Sequence, residues 1–170
     1  MYKIVKYPDH LLRTKLPILT DFSDKVKLEN IIKIMTMTMQ SSKGIGIAAN
    51  QVGLIIRLAI ISNNGASGSE IAIFNPEIID RHGRDSMTEG CLSYPHVRGT
   101  IRRHSGIKLK YQDVDGKQCE LEADGMLAKI IQHEVDHLNG LTIYDRMHQV
   151  DKAINKKAIK ALVTEYQNSY

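Results

Sequence analysis

The chain has 170 residues, 42% hydrophobic and 25% charged, without a low-complexity tract or internal repeat. That excludes large-scale disorder and predicts one domain, residues 1–170, able to bury roughly 70% of the surface of its unfolded form. A net charge of +4 suits solubility or work near an anionic surface but specifies no sequence-reading contact with nucleic acid. The N-terminus has no secretory apolar segment or transit-like stretch, and no run reaches the roughly 18 apolar residues of a membrane span, so a soluble cytoplasmic protein is expected. Two cysteines without an export signal argue against a disulfide framework.

In chain order, "YPDHLLRTKLPIL" carries Pro8 and Pro17 and reads as an irregular arm. "FSDKVKLENIIKIMTMTMQSS" predicts a helix capped by Ser23 or Asp24, with Leu28, Ile31, Ile32, Met35 and Met39 along one face. Met35, Met37 and Met39 alternate by two, which does not keep three side chains on one helical face, so they read as packing rather than as a metal box. "KGIGIAANQVG", from Lys43 to Gly53, is a segment of small residues punctuated by glycine. Two β-rich runs follow, Leu54 to Ile61 and Glu70 to Ile79, joined by the turn-forming "SNNGASGS". "GIKLKYQDV" and "KQCELEA" flank Asp115-Gly116, a dipeptide suited to the positive φ angles of a tight hairpin. Alternation in the second run puts Cys119 beside Leu121 on one face and predicts a core position for it. A second helix is expected through "MLAKIIQHEVDHLNG", with Asn139 and Gly140 as its stop, and a last one at about 149–167 with Val150, Ile154, Ala158 or Ile159, Leu162 and Tyr166 on its apolar face. That tail is basic: Arg146, Lys152, Lys156, Lys157 and Lys160 stand against Asp151 and Glu165.

The segment "HEVDH", His133 to His137, has the H-E-x-x-H form. Four residues at about 100° each come to roughly 400°, so both imidazoles project from one face, a turn apart, where they can share a cation. Glu134 lies about 100° round, placed to exchange protons with a water without being a ligand. Alone the pattern also fits solvated charges, but the apolar Met126, Leu127, Ile130 and Ile131 predict a buried helix, on which two histidines and two acids need partners. The protease form H-E-x-x-H-x-x-G-x-x-H fails at its last position, Ile143. His10, His82, His96, His104 and His148 lie in polar stretches and read as surface residues. Cys91, a thiol in the glycine-flanked "TEGCLSYP", is the third candidate ligand, giving a Cys-His-His site with one open position.

Three segments together, "GIGIAANQ" (Gly44 to Gln51), "EGCLS" (Glu89 to Ser93) and "QHEVDH" (Gln132 to His137), resemble the signature motifs of the peptide deformylases, in order and in register. The resemblance extends over residues 7 to about 146. It implies a metal-dependent hydrolase that removes the formyl group from the N-terminal formyl-methionine of newly made polypeptides, releasing formate. It implies that Cys91, His133 and His137 hold one divalent metal ion, Fe2+ natively with Zn2+, Ni2+ or Co2+ as substitutes, and that Glu134 handles protons. Gln51, through its side-chain amide, and Leu92, through its backbone N–H, would donate to the formyl oxygen. Gly44, Ile45 and Gly46 would border an extended peptide, while Glu89, Gly90, Met126, Ile130 and His133 would line the methionine pocket. Lys129 is expected at the pocket mouth with its ammonium in water. Arg98 would meet the substrate backbone and Arg103 would pair with Asp136. Ile47, Tyr94, His96 and Lys43 depart from the usual motif surroundings and touch substrate preference and loop shape. The basic last helix resembles the C-terminal helix of bacterial deformylases, for which ribosome docking is implied; a packing helix with a solvated basic face fits it as well. The fold class expected is α+β, antiparallel strands around a central metal-binding helix with a C-terminal helix outside. An endoprotease with an H-E-x-x-H site and an inactive, metal-stabilised ribosome-binding module are the rival readings.

Overall fold

The computed structural model describes residues 1–62 and 68–169. After the Pro-containing arm, which includes a 3-10 turn at His10–Arg13, helix α1 runs over Lys25–Ser41. Asp24 caps it by accepting the Lys27 N–H at 3.1 Å, satisfying one of the free donors of the first turn. Leu28, Met35 and Met39 are buried, whereas Met37 is 47% exposed, as helical spacing requires. Strands β1 (Gly46–Ala48), β2 (Leu58–Ser62), β3 (Glu70–His82), β6 (Gly106–Gln112) and β7 (Gln118–Asp124) form one antiparallel sheet in the order β1-β2-β3-β6-β7. Strands β4 (Asp85–Cys91) and β5 (Tyr94–Arg103) form a second, two-stranded sheet. Helix α2 (Gly125–Leu138) packs against the larger sheet, over a core that includes Ile47, Ile60, Phe74, Leu109, Ile131 and Leu138. Full burial of each such side chain contributes about 1.5–3 kcal/mol. A second core of Tyr94, Val97, Ile101, Ile143, Met147 and Leu162 lies under β5, where α3 (Ile143–Arg146), α4 (Gln149–Ile154) and α5 (Lys156–Gln167) close the fold. Mixed helices and antiparallel sheets with a C-terminal helix are the architecture expected.

Several elements differ from expectation, each for a local reason. β2 begins only at Leu58, because Arg57 turns its guanidinium to the end of α2, donating to Leu138 O at 3.0 Å and to Asn139 Oδ1 at 3.0 Å. β3 continues to His82 through a register shift after Phe74, where Asn75 takes a φ of 50° and its side chain binds Leu19 and Gln112. β4 and β5 have no sequence signature: the inward positions of β5 include Val97, Gly99, Ile101 and Arg103, so a glycine and a cation hide the alternation. In the β6–β7 hairpin only Gly116 has a positive φ, 75°, rather than both central residues. Cys119 is not a core residue; opposite Tyr111 near the hairpin tip it stays half-buried, outside the cluster that Leu121 packs against. The last helix is two helices, because buried Asn155 donates to Arg98 O at 2.7 Å and to Asp151 O at 2.8 Å, pinning the chain to β5 between them. Val150 and Ile154 consequently fall outside the apolar face and are 70% and 72% exposed. The linker positions 63–67 lie outside the described residues.

Candidate metal centre and active site

Nearly every face of α2 is buried, so each polar side chain on it needs a partner inside the protein. Gln132 binds the backbone of His104 on both its amide atoms, at 2.9 and 3.0 Å. Asp136 takes Arg103 Nη1 at 2.7 Å and Arg146 Nη2 at 2.5 Å. Lys129 lines the cavity but is buried, its ammonium ion-paired with Asp85 of β4 rather than solvated at the pocket mouth as expected. The carbonyls at the helix end are met by Asn50 Nδ2, 2.7 Å from His137 O, by the Leu16 N–H and by Arg57. Glu134 differs from all of these. It is 3% exposed, and among the described residues its Oε2 has no hydrogen-bond partner.

Two elements bring the candidate donors together. Cys91 ends β4, His133 and His137 stand one turn apart on α2, and their ligand atoms all lie within 4.8 Å of one another. Cys91 Sγ is 3.2 Å from His137 Nε2, and the two imidazole rings meet edge to face with centroids 4.9 Å apart. Such spacing fits a cation with Zn–S and Zn–N type bonds of about 2.0–2.3 Å, whose tetrahedral ligands stand roughly 3.5 Å apart. His133 Nδ1 lies 2.8 Å from Glu89 Oε2, which leaves Nε2 for the centre. Glu89 is itself clamped by Arg103, whose Nε and Nη2 donate to its two oxygens at 2.5 and 2.9 Å. Glu89 therefore lies in the wall of the cavity with its carboxylate directed at Arg103 and His133 rather than into the opening. Sequence reading paired Arg103 with Asp136 alone; the fork to Glu89 depends on β4 and β5 being neighbours.

The charges are unequal in their surroundings. Burial would raise the Glu89 carboxyl, but hydrogen bonds from Arg103 and His133 outweigh it and hold the group at about 2. Burial drives Glu134 up to about 7, only partly opposed by His133 and Arg103. His137 is pushed down by burial and by His133, whereas His133 is pushed up because the Cys91 and Glu89 contacts outweigh its burial. A thiol, two imidazoles and two carboxylates thus meet in one buried place, a donor set that a divalent cation fits.

The remaining candidates line a cavity of about 830 Å³ that opens from this centre. Gln51, in the 3-10 turn Ala49–Val52, accepts the Ala48 N–H at 2.9 Å with Oε1. That bond fixes the amide so that Nε2 faces Cys91 Sγ at 3.4 Å and Ser93 Oγ at 3.2 Å; Ser93 is a partner that sequence reading missed. Leu92 follows the thiol directly in the turn between β4 and β5. Gly44, Ile45 and Gly46 form one wall, with β1 at the edge of its sheet. A Cβ on Gly46 would lie 2.3 Å from Glu134 Oε1, so only glycine lets β1 close on the helix. Gly90, Arg98, Met126 and Ile130 line the other side; Met126 is 54% exposed and Ile130 is buried. Tyr94 is buried behind the thiol, donating to Thr142 Oγ1 at 3.1 Å and stacking on Tyr7.

The chain is similar to known proteins over nearly its whole length. The family model described as polypeptide deformylase matches residues 1–153. A peptide deformylase of Chlorobium phaeobacteroides is 42% identical over 160 residues, covering 92% of this chain and 85% of that protein. A crystal structure of peptide deformylase from Plasmodium falciparum superposes with a TM-score of 0.93 at 34% identity, covering 99% of each chain. One from Legionella pneumophila superposes with a TM-score of 0.89 at 32% identity, over 100% of this chain and 99% of its own. A matched family model over most of the chain, a relative at this identity and folds this close have one reading: the chain belongs to the polypeptide deformylase family.

Proposed function

We propose that the chain hydrolyses the N-formyl amide of formyl-methionine at the start of nascent polypeptides, giving formate and a free amine, in the cytoplasm. Cys91, His133 and His137 would hold one divalent metal, Fe2+ in the native protein with Zn2+, Ni2+ or Co2+ able to replace it. The thiolate with two imidazoles suits any of these ions. A cation held there supplies Lewis acidity, which lowers the pKa of water and polarises a carbonyl. The observation that carries the reading is Glu134: a buried carboxylate beside the three donors, with one oxygen unpartnered among the described residues and its pKa raised by burial to about 7. Glu134 takes a proton from the attacking water and returns it to the departing amine nitrogen, so water is divided between formate and amine. Gln51 Nε2, oriented by its bond from Ala48, and the Leu92 N–H donate to the formyl oxygen as it gains charge. The peptide lies along the free edge of β1, where the backbone of Gly44 to Gly46 can add it as a strand. The methionine side chain enters between Gly90, Met126 and Ile130, with Glu89 behind, while Arg98 meets the backbone beyond.

Protein loaded anaerobically with Fe2+ is expected to release formate from formyl-Met-Ala-Ser and to leave an internally blocked peptide intact. Cleavage of the blocked peptide would make it an endoprotease. Absence of formate with Fe2+, Ni2+ and Co2+ alike would leave the inactive binding module. The exposed Lys156, Lys157 and Lys160 on α5 support ribosome association, to be read as salt-sensitive cosedimentation.

A further inference from the structure

The groove beyond the metal centre has an uneven balance of charge. Of the acids in its walls, Glu89 is neutralised by Arg103, and Glu134 is buried in the floor. Among the cations, Lys129 is occupied by Asp85. Lys43 and Arg98 are different: both line the groove, both are exposed, and among the described residues neither pairs with a carboxylate. Glu70, the acid on the far side of Lys43, already accepts from Gln40 Nε2 at 2.6 Å and from the Gly68 N–H at 2.8 Å.

The two cations stand on separate walls. Arg98 lies across from Gly90 in the β4–β5 register, its guanidinium stem passing over the space a Gly90 side chain would fill. Lys43 sits just before β1, where α1 ends in a pair of bonds, Lys43 N–H to Gln40 O and Gly44 N–H to Met39 O, both 2.9 Å. That termination puts Lys43 at φ 56°, a position ordinarily filled by glycine or asparagine. A long cationic side chain is thus held in a conformation unfavourable to it, on a backbone that fixes its root at the groove rim.

We propose that Lys43, together with Arg98, makes this groove selective for substrates bearing an acidic residue one or two places after the formyl-methionine, with Lys43 as a specificity-determining residue. This rests on the deformylase reading, since it assumes that the peptide continues from the metal centre along β1. Each cation attracts an exposed carboxylate across a partly screened gap, so the pair gives roughly a three- to tenfold preference at low salt. The preference shrinks as ionic strength rises and the Debye length falls below the gap.

The test uses C-terminally amidated peptides, so that the only variable charge is the side chain: formyl-Met-Ala-Ser, formyl-Met-Ala-Glu, formyl-Met-Glu-Ser and their lysine counterparts. The metal-loaded protein should show a kcat/KM for the glutamate peptides three- to tenfold above the lysine peptides, mainly through KM. Lys43→Gly, which relieves the backbone, should fold at least as well, keep the rate on formyl-Met-Ala-Ser and lose most of the preference; Lys43→Glu should invert it. Equal or reversed rates for the two charges in the unaltered protein, or a preference unmoved by Lys43→Glu, would overturn the proposal. Equilibrium binding of N-acetyl-Met-Ala-Glu and N-acetyl-Met-Ala-Lys amides separates this from the activity itself. A retained charge order in Kd without any formate release would sink the deformylase reading and leave the selective groove standing; no charge order in Kd would sink the groove.

Discussion

Replacing Arg103 by Met keeps most of the side-chain volume and removes a charge that ties β4 and β5 to α2. The guanidinium makes two hydrogen bonds to Glu89 and one to Asp136, and all three residues are buried, at 6%, 4% and 7% exposure. Asp136 would keep Arg146, so the group left stranded is Glu89, with only His133 beside it. Leaving one buried charge without its partner costs about 3–5 kcal/mol. The Glu89 shift from 4.5 to about 2, shared between Arg103 and His133, corresponds to about 3 kcal/mol and agrees in scale. For a chain of this length each kcal/mol moves Tm by about 2–4 °C, so Arg103→Met should melt roughly 10 °C below the unaltered protein at pH 7 by calorimetry. Glu89→Gln added to Arg103→Met should recover part of that loss although Glu89→Gln alone destabilises, a non-additivity of more than about 1 kcal/mol. A melting point within about 2 °C of the original, or additive effects in the double variant, would show that the fork carries no such load.

Glu134→Gln should retain stoichiometric metal and lose at least roughly a hundredfold in formate release, the scale of a missing general base; activity within threefold would remove Glu134 from the chemistry. Cys91→Ala should lower bound metal, measured by elemental analysis after dialysis, whereas Cys119→Ala should leave it unchanged; equal losses from both would refute the ligand set. Asp145 is held below the ordinary carboxyl range because Arg13 and Thr142 hydrogen bonds outweigh its burial. A lowered folded-state pKa means that this stabilisation is present above the unfolded value and lost as pH falls through the folded one. The Tm difference between the unaltered protein and Asp145→Asn should therefore be largest near neutrality and narrow below about pH 4, and a difference constant down to pH 3 would contradict it.

Much of the candidate site was legible before the fold. H-E-x-x-H is a local statement, since helical period alone puts His133 and His137 on one face, and the failed position at Ile143 turns attention to Cys91. The Asp24 cap of α1, the end of α2 at Asn139 and Gly140, the hairpin at Asp115-Gly116 and the buried character of α2 likewise follow from short-range pattern. What the sequence could not determine were the consequences of bringing distant segments together. Lys129, amphipathic by composition, is buried because Asp85 of β4 lies over it, and Glu89 faces Arg103 and His133 because β4 and β5 pair. Asn155 breaks the last helix because the backbone of Arg98 is within reach, a contact 57 residues away in the chain. Local propensity and periodicity set α1, α2, the β6–β7 hairpin and the candidate ligand types. Only the tertiary structure decided which charges were satisfied, leaving among the described residues Glu134 Oε2 without a hydrogen-bond partner and Lys43 and Arg98 without a carboxylate at the rim, because satisfaction depends on neighbours that are remote in sequence.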